Sequence, residues 1–189
     1  DPDMADCNIA QSSGNGCTLR AAIMEANAAP MSQIVYIAFD QSVFVDESNA
    51  ITVAGASLNE QNFHPDEYAA LYPYNGVERA RAGDLYISHD LAIINHGNWT
   101  DPDSMITIVG AASTGAQGTT SRLFRVAQGT RVWMKGLHLK EGNATSYTAP
   151  VGGAILNQGH LQLQDVEISE SSAMIGGAIA SIGAHPDSP

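Results

Sequence analysis

The residues best suited to chemistry lie in two matched segments, "VWMKGLHL" from Val132 and "LQLQDVEI" from Leu161, 29 positions apart. In both, apolar residues alternate with polar or aromatic ones, so a strand would turn Val132, Met134, Leu161 and Leu163 toward a core and their neighbours outward. The outward set is Trp133, Lys135, His138 and Lys140 in the first segment, and Gln162, Gln164 and Glu167 in the second. Stacking the segments brings Trp133 near Gln162, Lys135 near Gln164 and His138 near Glu167. An indole face beside side-chain amides suits a pyranose ring, which stacks on one and hydrogen-bonds to the other. Trp133, Lys135, Gln162 and Gln164 are therefore binding candidates; the competing reading buries Trp133 under a loop. If the chain is an enzyme, Lys135 and Lys140 are the available bases and Glu167 the available carboxylate. A uronide lyase needs such a base, with a cation to neutralise the substrate carboxylate. A glycosidase needs two or three converging carboxylates; Asp165 and Glu167 are close, but Asp165 sits at the bend, where the preceding repeat has Gly136.

A second group lies in residues 57–82, a long segment that interrupts the strand signals. Long loops on rigid scaffolds carry binding functions, which makes Tyr68, Tyr72 and Tyr74 candidates. The alternative packs these tyrosines against the wall of the fold. His64, Asp66 and Glu67 are too few and too mixed to define a metal site. No cofactor is implied, Ca2+ being the one ion left open.

Charge narrows the partners. Twenty acidic residues against eight basic ones give a net charge of −12. That field disfavours nucleic acid and anionic membranes, and repels polyanionic sugars unless metal ions intervene. A glycan or a cell-surface protein remains as a partner. No run reaches the ~18 apolar residues that span a bilayer. Cys7 and Cys17 flank "NIAQSSGNG", a loop that reads as a disulfide in an oxidising compartment; two free thiols, or half of a zinc site lacking its other ligands, are the alternatives.

These residues need elements to hold them. "TLRAAIMEANAAP" places Leu19, Ala22, Ile23 and Ala26 on one helical stripe, with Thr18 as N-cap and Pro30 as stop. Short β-branched runs follow at 34–39, 51–55, 84–88, 91–95 and 106–110. "GGAILN" from Gly152 returns as "GGAIAS" from Gly176, a spacing of 24, so the matched segments predict a five-residue insertion between Leu139 and Gly152. Within each matched segment the apolar phase slips by one, at Gly136 and at Asp165, which predicts two short strands joined by a bend. Three strands per unit, stacked on the next unit, predict a parallel β-solenoid with the helix as its terminal cap.

"CTLRAAIMEAN", "SRLFRV" and "GGAILNQGHLQLQDVEIS" resemble the secreted bacterial β-helix proteins that carry a Cys-Ser/Thr-Leu-Arg-Glu-Ala-Ile N-terminal module, and the repeats are similar to those of polymorphic outer-membrane proteins. The resemblance departs at Ala21, where the family's Glu would complete a capping box, and in the 57–82 insertion. It implies an all-β, right-handed parallel β-helix of the pectin-lyase type, with an α-helical cap and disulfide loop over 1–30 and rungs over 31–189, as part of a longer solenoid. It also implies a secreted or cell-surface location. Three functions follow as expectations: an adhesion or extracellular binding module, a polysaccharide lyase or glycosidase, or a subunit of an extracellular assembly. The last rung, with Val166, Ile168 and Ile179, is expected to self-associate through its open edge.

Overall fold

The computed structural model describes residues 18–39, 50–53, 84–96, 104–110, 122–145 and 150–182. Helix α1 spans Leu19–Ala28. Thr18 caps it, its side-chain oxygen accepting from the Ala21 amide at 3.1 Å, and the chain turns extended at Ala29, just before Pro30. Its buried stripe is Leu19, Ile23 and Ala26.

The strands that follow are β1 (Val35–Ala38), β2 (Ile51–Val53), β3 (Leu85–Ile87), β4 (Leu91–Ile94), β5 (Ile106–Gly110), β6 (Phe124–Val126), β7 (Arg131–Lys140), β8 (Ile155–Asn157), β9 (His160–Ser169) and β10 (Ile179–Ser181). Among the described residues they form a six-stranded and a four-stranded sheet, and every strand pairing is parallel. The four-stranded sheet runs β10-β8-β6-β3. In the six-stranded sheet β7 is the hub. Val132–Lys135 pair with β4 and Leu137–Lys140 with β5, while nearly the whole length of β7 pairs with β9. Both sheets and α1 enclose one core, in which Ile23, Ile87, Ile93, Phe124, Met134 and Leu137 are fully buried. Each such side chain contributes roughly 1.5–3 kcal/mol on leaving water.

This arrangement corrects the expected all-β, right-handed β-helix solenoid. That fold required three strands, and so three faces, per unit. The described residues instead make two parallel sheets together with a helix. The reason lies at the phase slips. Gly136 and Asp165 do turn the alternation by one, through left-handed backbone at φ 67° and 50°. They do so inside single ten-residue strands, β7 and β9, and they break no strand into two. The pairing skips the two residues and resumes from Lys135–Gln164 to Leu137–Val166. On the opposite edge of β7 the same position is the gap between β4 and β5. Buried Asn95 fills it, donating from Nδ2 to the Gly136 carbonyl at 3.1 Å and to the Ser104 carbonyl at 2.8 Å.

Both repeat spacings appear as strand register. Val132 pairs with Leu161 at the 29-residue spacing, and Ile155 with Ile179 at the 24-residue spacing. Asn143 still bridges Ser172 at 29, whereas Val151 bridges Ile175 at 24, which puts the five extra residues between Asn143 and Val151. Gly152 and Gly176 begin the 24-residue match at φ 63° and 61°, and a Cβ on Gly152 would collide with the Ile155 carbonyl oxygen.

The two ends of the sheets are finished differently. At β3, the Asn27 side chain of α1 acts as a neighbouring strand would. Its Nδ2 donates to the Tyr86 carbonyl at 2.8 Å and its Oδ1 accepts from the Ser88 amide at 2.9 Å. At the other end, β9 pairs only with β7 and β10 only with β8 among the described residues. Leu161, Leu163, Val166 and Ile168 are only partly buried there, and Met174 and Ile175 are 80% and 65% exposed. Cys7, Cys17 and residues 57–82, with Tyr68, Tyr72 and Tyr74, lie outside the described residues.

Candidate binding groove

Alternation and parallel register together build a surface. Val35, Leu91, Val132 and Leu161 pair in one row and turn inward. The next residue on each strand turns outward, which gives a row running across four strands: Tyr36, Ala92, Trp133 and Gln162. The outward residues one step further along the strands are Ala38, Ile94, Lys135 and Gln164. On the other side stand Ile34, Asp90, Arg131 and His160.

The Tyr36 row is the floor of a groove of about 710 Å³, with Ile34, Asp90, Arg131 and His160 along one side. Tyr36 is 66% exposed and Ala92 is 3% exposed, so the small residue forms a low point between two aromatic ones. The Trp133 ring is half-buried. Its indole N–H is shut off from solvent and has no acceptor among the described residues. The rim is polar and partly fixed: Asp90 Oδ1 accepts from the Arg131 amide at 2.8 Å, and the Arg131 guanidinium stands 4.0 Å from Asp90 Oδ2. Groups of this kind, an aromatic floor with amide, carboxylate and guanidinium at its edge, match the alternating apolar faces and hydroxyl edges of a sugar.

The other candidates fall on the same outer face. Lys135 pairs in register with Gln164, and His138 with Glu167. His138 Nε2 is 2.7 Å from Ser169 Oγ and 4.0 Å from Glu167 Oε1, so one ring nitrogen meets both groups. Lys140 is 3.5 Å from Glu170. Arg122 and Arg125, two further basic residues, are occupied elsewhere. Both contact Asp84 Oδ2 at 3.0 Å, and Arg122, 1% exposed, also donates to the Val151 and Gly152 carbonyls. That cluster fastens the β8 turn to the start of β3. Among the described residues, no three His, Cys, Asp or Glu side chains are grouped to hold a metal, and no helix is long and apolar enough to cross a membrane.

Tyr36, Asp90 and His160 were not among the sequence candidates. The alternation of Val35 and Ile37 already turns Tyr36 outward, but only the register of β1 on β4 sets it in the row of Trp133. No protein-family model, curated protein or solved structure matches the chain.

Proposed function

We propose that the chain is a secreted or cell-surface binding module, acting in adhesion or as an extracellular binding element, and that the groove over Tyr36, Ala92, Trp133 and Gln162 is the surface it binds with. The observation that carries this reading is the outward row itself: two aromatic residues and an amide in register on a parallel sheet, above a rim of Asp90, Arg131 and His160. The ligand class it supports is carbohydrate. A glycan panel probed with the chain and with Trp133→Ala tests it. Binding by the parent chain, lost in a variant whose urea midpoint stays close to the parent's, is the expected result. A silent panel, or binding that Trp133→Ala leaves intact, contradicts it.

A second reading, a subunit of an extracellular assembly, is favoured by one contrast. Asn27 closes the β3 end, while at the β9–β10 end the strand edges pair with no further strand among the described residues, and Met174 and Ile175 are exposed. A parallel strand edge of that length templates pairing with another chain. Both readings hold together, since the groove lies on a sheet face and pairing uses an edge.

A further inference from the structure

Resting on the reading of the groove as a carbohydrate site, we infer that its ligand is a neutral, extended, β-linked oligosaccharide of at least three residues. We further infer that it runs across the strands and not along them. The argument starts from spacing. Paired strands lie about 4.8 Å apart, so Tyr36 and Trp133, separated by the single strand β4, stand roughly 9–10 Å apart along the sheet. Two pyranose residues of an extended β-1,4-linked chain advance by about that distance. One sugar then covers Tyr36, the next crosses Ala92, and the third covers Trp133.

Ala92 is what lets the chain pass. Any larger side chain at that position would stand between the two rings and divide the floor into separate sites. Gln162, one strand beyond Trp133, offers an amide donor and acceptor to a fourth residue. Polar residues flank this path on both sides, Asp90, Arg131 and His160 on one and Lys135 and Gln164 on the other, where they meet the two hydroxyl edges of the chain. Charge selects for a neutral polymer. The chain carries a net charge of −12, and the rim cation Arg131 already faces the carboxylate of Asp90. A helical α-linked glucan bends away from a straight row and reaches one ring only.

Cello-oligosaccharides of two to six residues, titrated calorimetrically against the intact chain, test this directly. Affinity should rise about tenfold or more from the dimer to the tetramer, as the second ring is engaged, and then level off. Tyr36→Ala, at an exposed position, should bring the tetramer down to the dimer's affinity, and Trp133→Phe should retain most of the binding. Equal affinity for dimer and tetramer, tetramer binding untouched by Tyr36→Ala, or preference for an oligogalacturonate of equal length would overturn the inference. A panel hit that depends on Trp133, with no cello-oligosaccharide bound, overturns this inference and leaves the carbohydrate reading standing; a panel with no hit removes both.

Discussion

Tyr36 and Trp133 face outward from the same sheet with one strand between them, and the residue on that strand is alanine. They are separated by nearly a hundred positions in sequence, and only parallel register brings them into one row. The integrity of the register is therefore a condition of the site, and several contacts that maintain it can be tested apart from binding.

Asn27 stands in for a missing strand at β3. Its side chain satisfies one carbonyl and one amide that the sheet edge would otherwise leave open. Replacing it by Ala should lower stability by about 1–3 kcal/mol, read as a lower urea midpoint. Amide exchange at Ser88 should quicken, with β9 little affected. No change at Ser88 would mean that the cap is dispensable.

The Asp84 carboxylate lies between two buried guanidinium groups, Arg122 and Arg125. Asp84→Ala removes the carboxylate that both guanidinium groups contact and should destabilise by about 3–5 kcal/mol. The double change Asp84→Leu with Arg122→Met should recover part of that loss, because it removes one of the two buried guanidinium groups that lose Asp84. A double variant no more stable than Asp84→Ala would contradict this account of the cluster.

The left-handed positions in β7 and β9 predict opposite signs. Gly136→Ala should cost about 1–2 kcal/mol, the penalty for placing a Cβ at positive φ. Asp165→Gly relieves that penalty in the paired strand and should be neutral or slightly stabilising. Thermal melts of the two variants decide, and equal destabilisation by both would show that backbone conformation is not the controlling factor.

The outer edge of β9, which no other described strand pairs, predicts association that grows with concentration. Light scattering across a dilution series should show a rising mass, and the amides of 161–168 should gain protection from exchange at the higher concentrations. Val166→Lys should suppress both effects. A constant monomer mass with strongly protected 161–181 amides would contradict edge pairing.

Much of this organisation is legible in the residues themselves. Thr18, the apolar stripe and Pro30 delimit α1 to within a residue, and the 24- and 29-residue matches are the registers of β8 on β10 and β7 on β9. Alternation alone turns Trp133 outward, with Gln162 as its partner. The architecture departs from the sequence expectation where one local signal has two physical solutions. A phase slip at Gly136 fits a break between strands or a left-handed residue within one strand, and the Gly136 carbonyl accepts from Asn95, 41 positions away, a contact that no local pattern states. The groove was half visible for a similar reason. Tyr36 and Trp133 share no motif, and nothing local states that β1 and β7 flank β4.

The most direct test of the central claim is the binding of a cello-oligosaccharide tetramer to the parent chain, Tyr36→Ala and Trp133→Ala, measured side by side by calorimetry. The account predicts binding by the parent, loss of about tenfold or more in each variant, and urea midpoints close to the parent's in both. Variants that bind as the parent does would show that the row of Tyr36, Ala92, Trp133 and Gln162 is not the binding surface.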